Sequence, residues 1–339
     1  MTTAGSPRIS VVIVTYKSRD FIDRCLAPFR DRPDLEILVW ENASGDGVVD
    51  HLRKEFPFVT AFDGDENLGF SRGNNRAFAH CRGRYVLLLN PDAFVGDAGV
   101  VDALADYLDS HADVAACGPR LVHADGSHQV GDAGWRISLG TIFVHSFMLQ
   151  RFFPWARGLF LTNRGLLKRA EVQVDFICGA CLMVRRDVIA AVGGLDESVF
   201  MYGEDIEWGT RMRNDGWKVV YLPRISVTHL QGATQKGAQQ LFSSTKWLDD
   251  IAVRSAPQCN ALGYALLKAS LFAGFGLRAV GLICAGTILR RPLLREKGLI
   301  MARYANHARS FPKRGDILGR LPGAATAIPS AGAATGSTR

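Results

Sequence analysis

Residues Ile9 to Thr15 read ISVVIVT, and the chain leaves this run through Tyr16, Lys17 and Ser18. A β-branched apolar run without polar alternation is the pattern of a strand buried on both faces, as in a parallel sheet covered by helices. LEILVW at 35–40 and YVLLL at 85–89 repeat it. Helix-like stretches at 19–29, 48–55 and 73–81 separate the runs, so the order predicts an α/β domain with a mostly parallel central sheet. Ligands of such sheets gather at the carboxyl ends of the strands. Thr15, Tyr16, Glu41, Asn42 and the run Asn90 to Asp92 are therefore the first site candidates.

Further along, the sequence predicts a helix at 100–110, a strand at 114–122 entering a turn at 125–127, and a strand at 176–184. A helix at 185–192, a helix at 204–216 ended by glycine, and a strand at 218–222 follow. The stretch 131–171 is rich in Phe, Trp and Arg without a regular period, and is expected to be an irregular, mobile segment on the acceptor side. No internal repeat is present.

From 261 to 289 the chain becomes almost continuously apolar, interrupted by Lys268 and Arg278 and followed by Arg290, Arg291, Arg295 and Lys297. A membrane-spanning helix needs about 20 apolar residues, and neither side of Arg278 supplies them. Charges within the stretch and a basic cluster after it match helices lying on an anionic membrane surface. A buried helical hairpin is the competing reading. The expected organisation is a flexible N-terminus at 1–8, a catalytic domain at 9–235, a helical, amphipathic, membrane-associated region at 236–320 and a disordered tail at 321–339.

The chain has 339 residues, is 47% hydrophobic and carries a formal charge of +7. Its seven cysteines are odd in number and scattered, which argues for a reducing compartment rather than a disulfide framework. The opening residues lack the apolar run and cleavage site of a secretory leader, so a cytoplasmic location is expected, peripheral to the cytoplasmic face of the inner membrane. The excess of basic residues borders the late apolar blocks, and this placement argues against a nucleic-acid partner.

No Gly-x-Gly-x-x-Gly and no Gly-Lys-Ser/Thr follows the first strand, which excludes the phosphate cradles of dinucleotide oxidoreductases and P-loop enzymes. Glu41, Asn42 and Ser44 offer an acidic group beside amide and hydroxyl groups, suited to a pyrimidine base and a ribose or to an ordinary turn. Asp92, at a strand end, suits Mg²⁺ or Mn²⁺, whose shell substrate phosphates complete. The same residues could serve only as an Asx-Pro turn. Glu204 and Asp205 begin a helix, where acidic groups also favour the dipole, and His229 follows the next strand as a further candidate metal ligand. Cys178 and Cys181 read as small buried residues.

VVIVTYKS at 11–18, ENASGDG at 41–47, ENLGFSRGNN at 66–75, LLLNPDA at 87–93 and GGLDESVFMYGEDIEWGTRMRNDGW at 193–217 together resemble family 2 glycosyltransferases, and within them the bacterial rhamnosyltransferase-like members. The resemblance spans Ile9 to Thr234. It implies a GT-A fold, with a nucleotide-binding α/β half and an acceptor-binding half. It places Thr15, Tyr16, Glu41, Asn67 and Asn74 at the nucleotide, with Asn42, Gly69, Asn90 and Glu204 completing the candidate donor site. Asp92 corresponds to the final Asp of the family's Asp-x-Asp metal motif, His229 to a later metal-ligating His, and Asp205 to the catalytic base.

Two positions depart from the family pattern. Glu41 stands where Asp is usual, and Asn90 replaces the first Asp of the metal motif, so metal binding leans on Asp92 and on substrate phosphates. No Gln-x-x-Arg-Trp follows the Glu-Asp pair, so addition of a single sugar is expected. The implied reaction is inverting and metal-dependent. Its donor is a nucleotide-diphosphate sugar, dTDP-rhamnose or else a UDP- or GDP-sugar, and its acceptor a lipid-linked saccharide of a cell-envelope pathway. A non-catalytic nucleotide-sugar-binding membrane scaffold is the alternative, disfavoured because Asp92, Asp205 and His229 are all retained.

Overall fold

The computed structural model describes residues 6–163, 165–230 and 245–319. The expected tail at 321–339, most of the expected flexible N-terminus and the junction at 235 lie outside them.

Strands β1 (Ile9–Thr15), β2 (Leu35–Glu41), β3 (Val59–Asp63) and β4 (Tyr85–Leu89) alternate with helices α1 (Arg19–Leu26), α2 (Val48–Glu55) and α3 (Gly69–Phe78). These four strands pair in parallel in the order β3-β2-β1-β4. Val11 and Ile13 enter the core under α1 and α2, while Val12 enters the core under α3. That two-sided burial is the reason the run carries no polar alternation.

The second half of the chain extends the sheet with mixed polarity. Its elements are β5 (Ala93–Phe94), α4 (Gly99–Ser110), β6 (Val114–Val122), β7 (Ala133–Gly134), α5 (Leu139–Ser146), β8 (Val172–Val174), β9 (Phe176–Ile177), β10 (Cys181–Arg185), α6 (Arg186–Val192), α7 (Glu204–Asn214) and β11 (Lys218–His229). From β4 the sheet continues β10-β6-β11-β5, and β8 adds to β11. β10 runs antiparallel to both neighbours, whereas β11 runs parallel to β6.

Four expectations change in detail. The strand expected at 176–184 divides into β9 and β10 around Cys178-Gly179-Ala180, and the strand expected at 218–222 continues to His229. The segment 131–171 contains α5, whose N-cap Ser138 and Thr141 exchange side-chain and backbone hydrogen bonds. The helix expected at 73–81 begins at Gly69, after Asn67 Oδ1 accepts from Gly69 N at 3.0 Å.

After the undescribed residues 231–244 come α8 (Lys246–Gln258), α9 (Ala261–Ile288), α10 (Pro292–Arg309) and α11 (Arg314–Leu318). α9 runs unbroken for 28 residues and is long and apolar enough to cross a membrane. Lys268 does not interrupt it, because its ammonium donates to Phe311 O at 2.7 Å. These helices share a third core with α5, in which Ile142, Leu248, Leu267, Leu271, Phe275 and Tyr304 pack together.

Candidate active site

The first cluster forms where β4 ends. Asn90 N donates to Ala180 O at 3.0 Å, and the chain turns through Asp92 into β5. β5 pairs with the end of β11, placing Ala93 opposite His229. His229 Nε2 thereby lies 3.3 Å from Asp92 Oδ1, with both side chains buried. Its Nδ1 lies 3.1 Å from Gln129 Oε1, and its Nε2 lies 3.4 Å from Asn90 Nδ2.

A proton on Nδ1 satisfies the Gln129 oxygen and leaves the Nε2 lone pair facing the Asp92 carboxylate. Asn90 Nδ2 is placed to donate to that lone pair, and a cation at the same place would be held by the imidazole and the carboxylate together. Carboxylate and imidazole are together a donor set that fits a divalent ion completed by phosphate oxygens and water. Among the described residues, no group of three or more His, Cys, Asp and Glu side chains is placed to hold a metal alone.

The second cluster lies at the ends of β1 and β2. Thr15 is fully buried, its Oγ1 donating to Trp40 O at 3.4 Å, while Tyr16 is 40% exposed. Glu41 is buried, and its carboxylate accepts from Ser44 N at 3.0 and 3.1 Å and from the Ser44 hydroxyl. Asn42 Nδ2 donates to Gly69 O at 3.0 Å, while its buried Oδ1 has no hydrogen-bond partner among the described residues. Gly69 adopts φ +77°, and a Cβ there would meet Phe200 O at 2.5 Å. The position thus needs glycine for both conformation and space. Phe70 N donates to Phe200 O at 2.9 Å, which docks the start of α3 onto the loop that enters α7.

The third cluster is acidic. Glu204 and Asp205 occupy the first turn of α7. Asp205 accepts from Ile206 N at 2.8 Å, and the Gly179 amide favours its ionised form. Burial pushes the Asp205 carboxyl up to about 6. Glu204 rises further, to about 8, first through burial and then through the charge of Asp205. Burial and mutual repulsion thus disfavour the doubly ionised pair, and Glu204 holds its proton to higher pH than Asp205.

One loop joins the first and third clusters, since the Gly179 amide reaches Asp205 and the Ala180 carbonyl receives Asn90 N. Such a sheet, with a parallel half laced by helices and acidic groups gathered near its strand ends, has the arrangement of a GT-A fold.

Residues 10–193 match the family model for Glycosyl transferase family 2, and the chain belongs to that family. It is 32% identical over 235 residues to the N-acetylglucosaminyl-diphospho-decaprenol L-rhamnosyltransferase of Mycobacterium tuberculosis, covering 65% of this chain and 75% of the relative. It is 27% identical over 257 residues to the O-antigen biosynthesis protein RfbC of Myxococcus xanthus, covering 74% of this chain and 19% of that protein. Among solved structures, the mannosyltransferase PcManGT of Pyrobaculum calidifontis, in complex with GDP-Man and Mn²⁺, superposes with a TM-score of 0.57. The sequence identity is 16%, with 90% of this chain and 88% of that one covered.

Of the residues singled out from sequence, Asn90, Asp92 and His229 meet in one cluster, and Asp205 with Glu204 in another. Thr15, Glu41, Asn42 and Gly69 line up at the strand ends. Asn67 is exposed and shapes the turn before α3. Asn74 is buried, its Nδ2 donating to Phe70 O one turn earlier at 2.9 Å. Sequence reading overlooked Gln129, which orients His229 from 100 residues away, and Asp250 and Arg254 of α8. No local motif marks any of them.

Proposed function

We propose that this chain is an inverting, metal-dependent transferase that moves one L-rhamnose from dTDP-rhamnose to a hydroxyl of a lipid-linked saccharide at the cytoplasmic face of the inner membrane. The observation that supports this reading is the loop 178–180, whose Ala180 carbonyl receives Asn90 N from the Asp92 turn and whose Gly179 amide favours the ionised form of Asp205. The rhamnose donor and the lipid-linked acceptor are supported by the names of the relatives, and the metal by the Mn²⁺ of the mannosyltransferase complex.

The ends of β1 and β2 would receive the nucleotide, with Thr15, Tyr16, Glu41 and Asn42 framing the base and ribose. The carboxylate of Asp205 would take the proton of the acceptor hydroxyl as its oxygen bonds to the anomeric carbon. The bond from that carbon to the diphosphate breaks on the opposite side, so configuration inverts. Such general-base assistance contributes about 10² to 10⁴ in rate. Asp92 and His229 would hold Mg²⁺ or Mn²⁺, which when bound supplies positive charge to the departing diphosphate. Glu204, protonated at neutral pH, adds no second negative charge beside Asp205.

The membrane reading rests on α9 and α10. Leu277, Val280, Ile288, Leu289 and Leu293 are exposed, with Arg290 and Arg291 between them in the chain and Arg295 and Lys297 just after. Apolar side chains beside a basic cluster suit the interface of an anionic leaflet.

The decisive experiment measures nucleoside diphosphate release by the purified chain from dTDP-rhamnose, UDP-sugars and GDP-sugars, with a polyprenyl-diphosphate-linked saccharide as acceptor. Each donor is tested with Mg²⁺ or Mn²⁺ and with EDTA. Metal-dependent release from dTDP-rhamnose alone establishes the reading. Release from another donor transfers it to that nucleotide, and calorimetric binding of donor without release from any of them favours the non-catalytic scaffold.

A further inference from the structure

Helix α8 bears no family motif, yet it completes the surroundings of Asp205. Asp250 and Arg254 stand one turn apart on it, joined by Arg254 Nε donating to Asp250 Oδ1 at 2.7 Å, with side chains 11% and 13% exposed. The second oxygen, Asp250 Oδ2, rests against Gly203, where a Cβ would lie only 2.0 Å from it. Gly203 has φ +90° and is the N-cap of α7, immediately before Glu204. The glycine therefore allows a carboxylate from a distant helix to close on the residue that introduces the base.

Burial explains none of these side chains as ordinary core. Glu204 Oε2 and Asp250 Oδ2 are both buried and lack a hydrogen-bond donor among the described residues. A buried acceptor left unpaired costs about 1 to 3 kcal/mol, whereas apolar groups of the same shape would avoid the cost. No cation site accounts for the cluster either, since no three acidic, His or Cys groups among the described residues converge to hold one.

We propose that Asp250 and Arg254 are positioning residues for sugar transfer, the ion pair on α8 fixing the entry to α7 and setting the charge that Asp205 and Glu204 experience. This inference rests on the reading of Asp205 as the base. The two members act with opposite sign. Asp250 adds negative charge and favours the protonated carboxyls, while Arg254 favours the ionised ones. The direction agrees with the acidities: burial raises the Asp250 carboxyl to about 6 and Arg254 opposes that rise, and Arg254 likewise lowers both Glu204 and Asp205. The remaining groups facing the cluster are Asp196, which raises Asp250, and the Cys178 thiol, pushed up by burial and then by Asp205.

The test compares the full-length chain with its Asp250→Asn, Arg254→Met, Arg254→Lys and Asp250→Asn/Arg254→Met variants. Two readouts are used: ¹³C-carboxyl NMR titration of the ligand-free protein, with Asp205 assigned through Asp205→Asn, and the pH profile of nucleoside diphosphate release. Asp250→Asn is expected to lower the Asp205 midpoint and the acid limb of the profile by about 0.5 pH, and Arg254→Met to raise both by a similar amount. Arg254→Lys keeps the charge and should stay near the wild type, as should the double variant, which leaves the net charge of the pair unchanged. Single variants that shift the midpoint in the same direction, or leave it in place with native circular dichroism, overturn the proposal. Should Arg254→Met fail to fold, Asp250→Asn decides alone, a lowered midpoint supporting the proposal and an unchanged one overturning it. If Asp205→Asn retained turnover, the base assignment would fall, while the NMR midpoints would still report on the pair.

Discussion

Asn75 of α3 and Leu195, in the loop leading toward α7, exchange two hydrogen bonds: Asn75 Nδ2 donates to Leu195 O at 2.8 Å, and Asn75 Oδ1 accepts from Leu195 N at 2.9 Å. The side-chain amide thus does for that loop what a neighbouring strand would do, and it ties the donor-side helix to the chain that carries Glu204 and Asp205. Asn75→Ala leaves both backbone groups unpaired, a cost of about 1 to 3 kcal/mol for each that stays buried. A lowered thermal midpoint, with a raised KM for donor, is the expected result of melting and initial-rate measurements.

Asp205→Asn preserves shape and removes the proton acceptor. Turnover should fall by about 10² or more while donor affinity stays within a few-fold of the wild type. Calorimetric titration with donor and metal, set against nucleoside diphosphate release, separates the two effects. Retained turnover would take Asp205 out of the mechanism.

Since burial raises the Asp205 carboxyl to about 6, its ionised form is lost as pH falls through that value. The rate kcat/KM should then decline about tenfold per pH below 6, and the descending limb should be absent from the residual activity of Asp205→Asn. A profile that stays flat down to pH 5 would place the base elsewhere.

Glu204 gives a stability prediction of opposite sense to an ordinary acidic pair. Its carboxyl rises from 4.5 to about 8 on folding, so between those values the folded chain holds a proton that the unfolded chain has released. Stability contributed by this group is present below 4.5 and is lost as pH rises toward 8. Glu204→Gln should raise the melting temperature at pH 8 by about 2 °C or more and leave it unchanged at pH 5. Equal shifts at both values would remove the buried proton.

The hairpin of α9 and α10 predicts how the chain meets lipid. Replacing Leu289 and Leu293, both about 60% exposed, by Asp should reduce flotation with vesicles of anionic phospholipid by about tenfold, without changing donor release in solution. Flotation unaffected by the substitutions and by high salt would point to another surface.

The parts of the fold that could be read in advance are those whose pattern is local. β1, β2 and β4 lie between two apolar layers and announce themselves as unbroken apolar runs, whereas β3 at the sheet edge is only partly buried and carries no such signal. α5 escaped because its capping Ser138 pairs with Thr141 rather than with a Glu or Gln. α9 appeared interrupted because Lys268 and Arg278 look like breaks, yet the helix runs through both, and Phe311, 43 residues after Lys268, supplies an acceptor for its ammonium. The site divides in the same way. Asp92 and Asp205 sit in recognisable motifs, while Gln129 and Asp250 act on residues that only the folded chain brings near.

The loop Cys178–Ala180 touches Asp205 through one residue and Asn90 through the next. Covalent geometry therefore fixes the spacing of the two anchoring points on the loop, because successive Cα atoms of a trans chain stand about 3.8 Å apart whatever the core around them does. Loosening of the apolar layers by heat or by a shortened core side chain would shift the loop as a whole and spare its internal spacing. Insertion of a single residue there would do the reverse, leaving packing intact while spoiling the register between the Asp205 helix and the Asn90 turn.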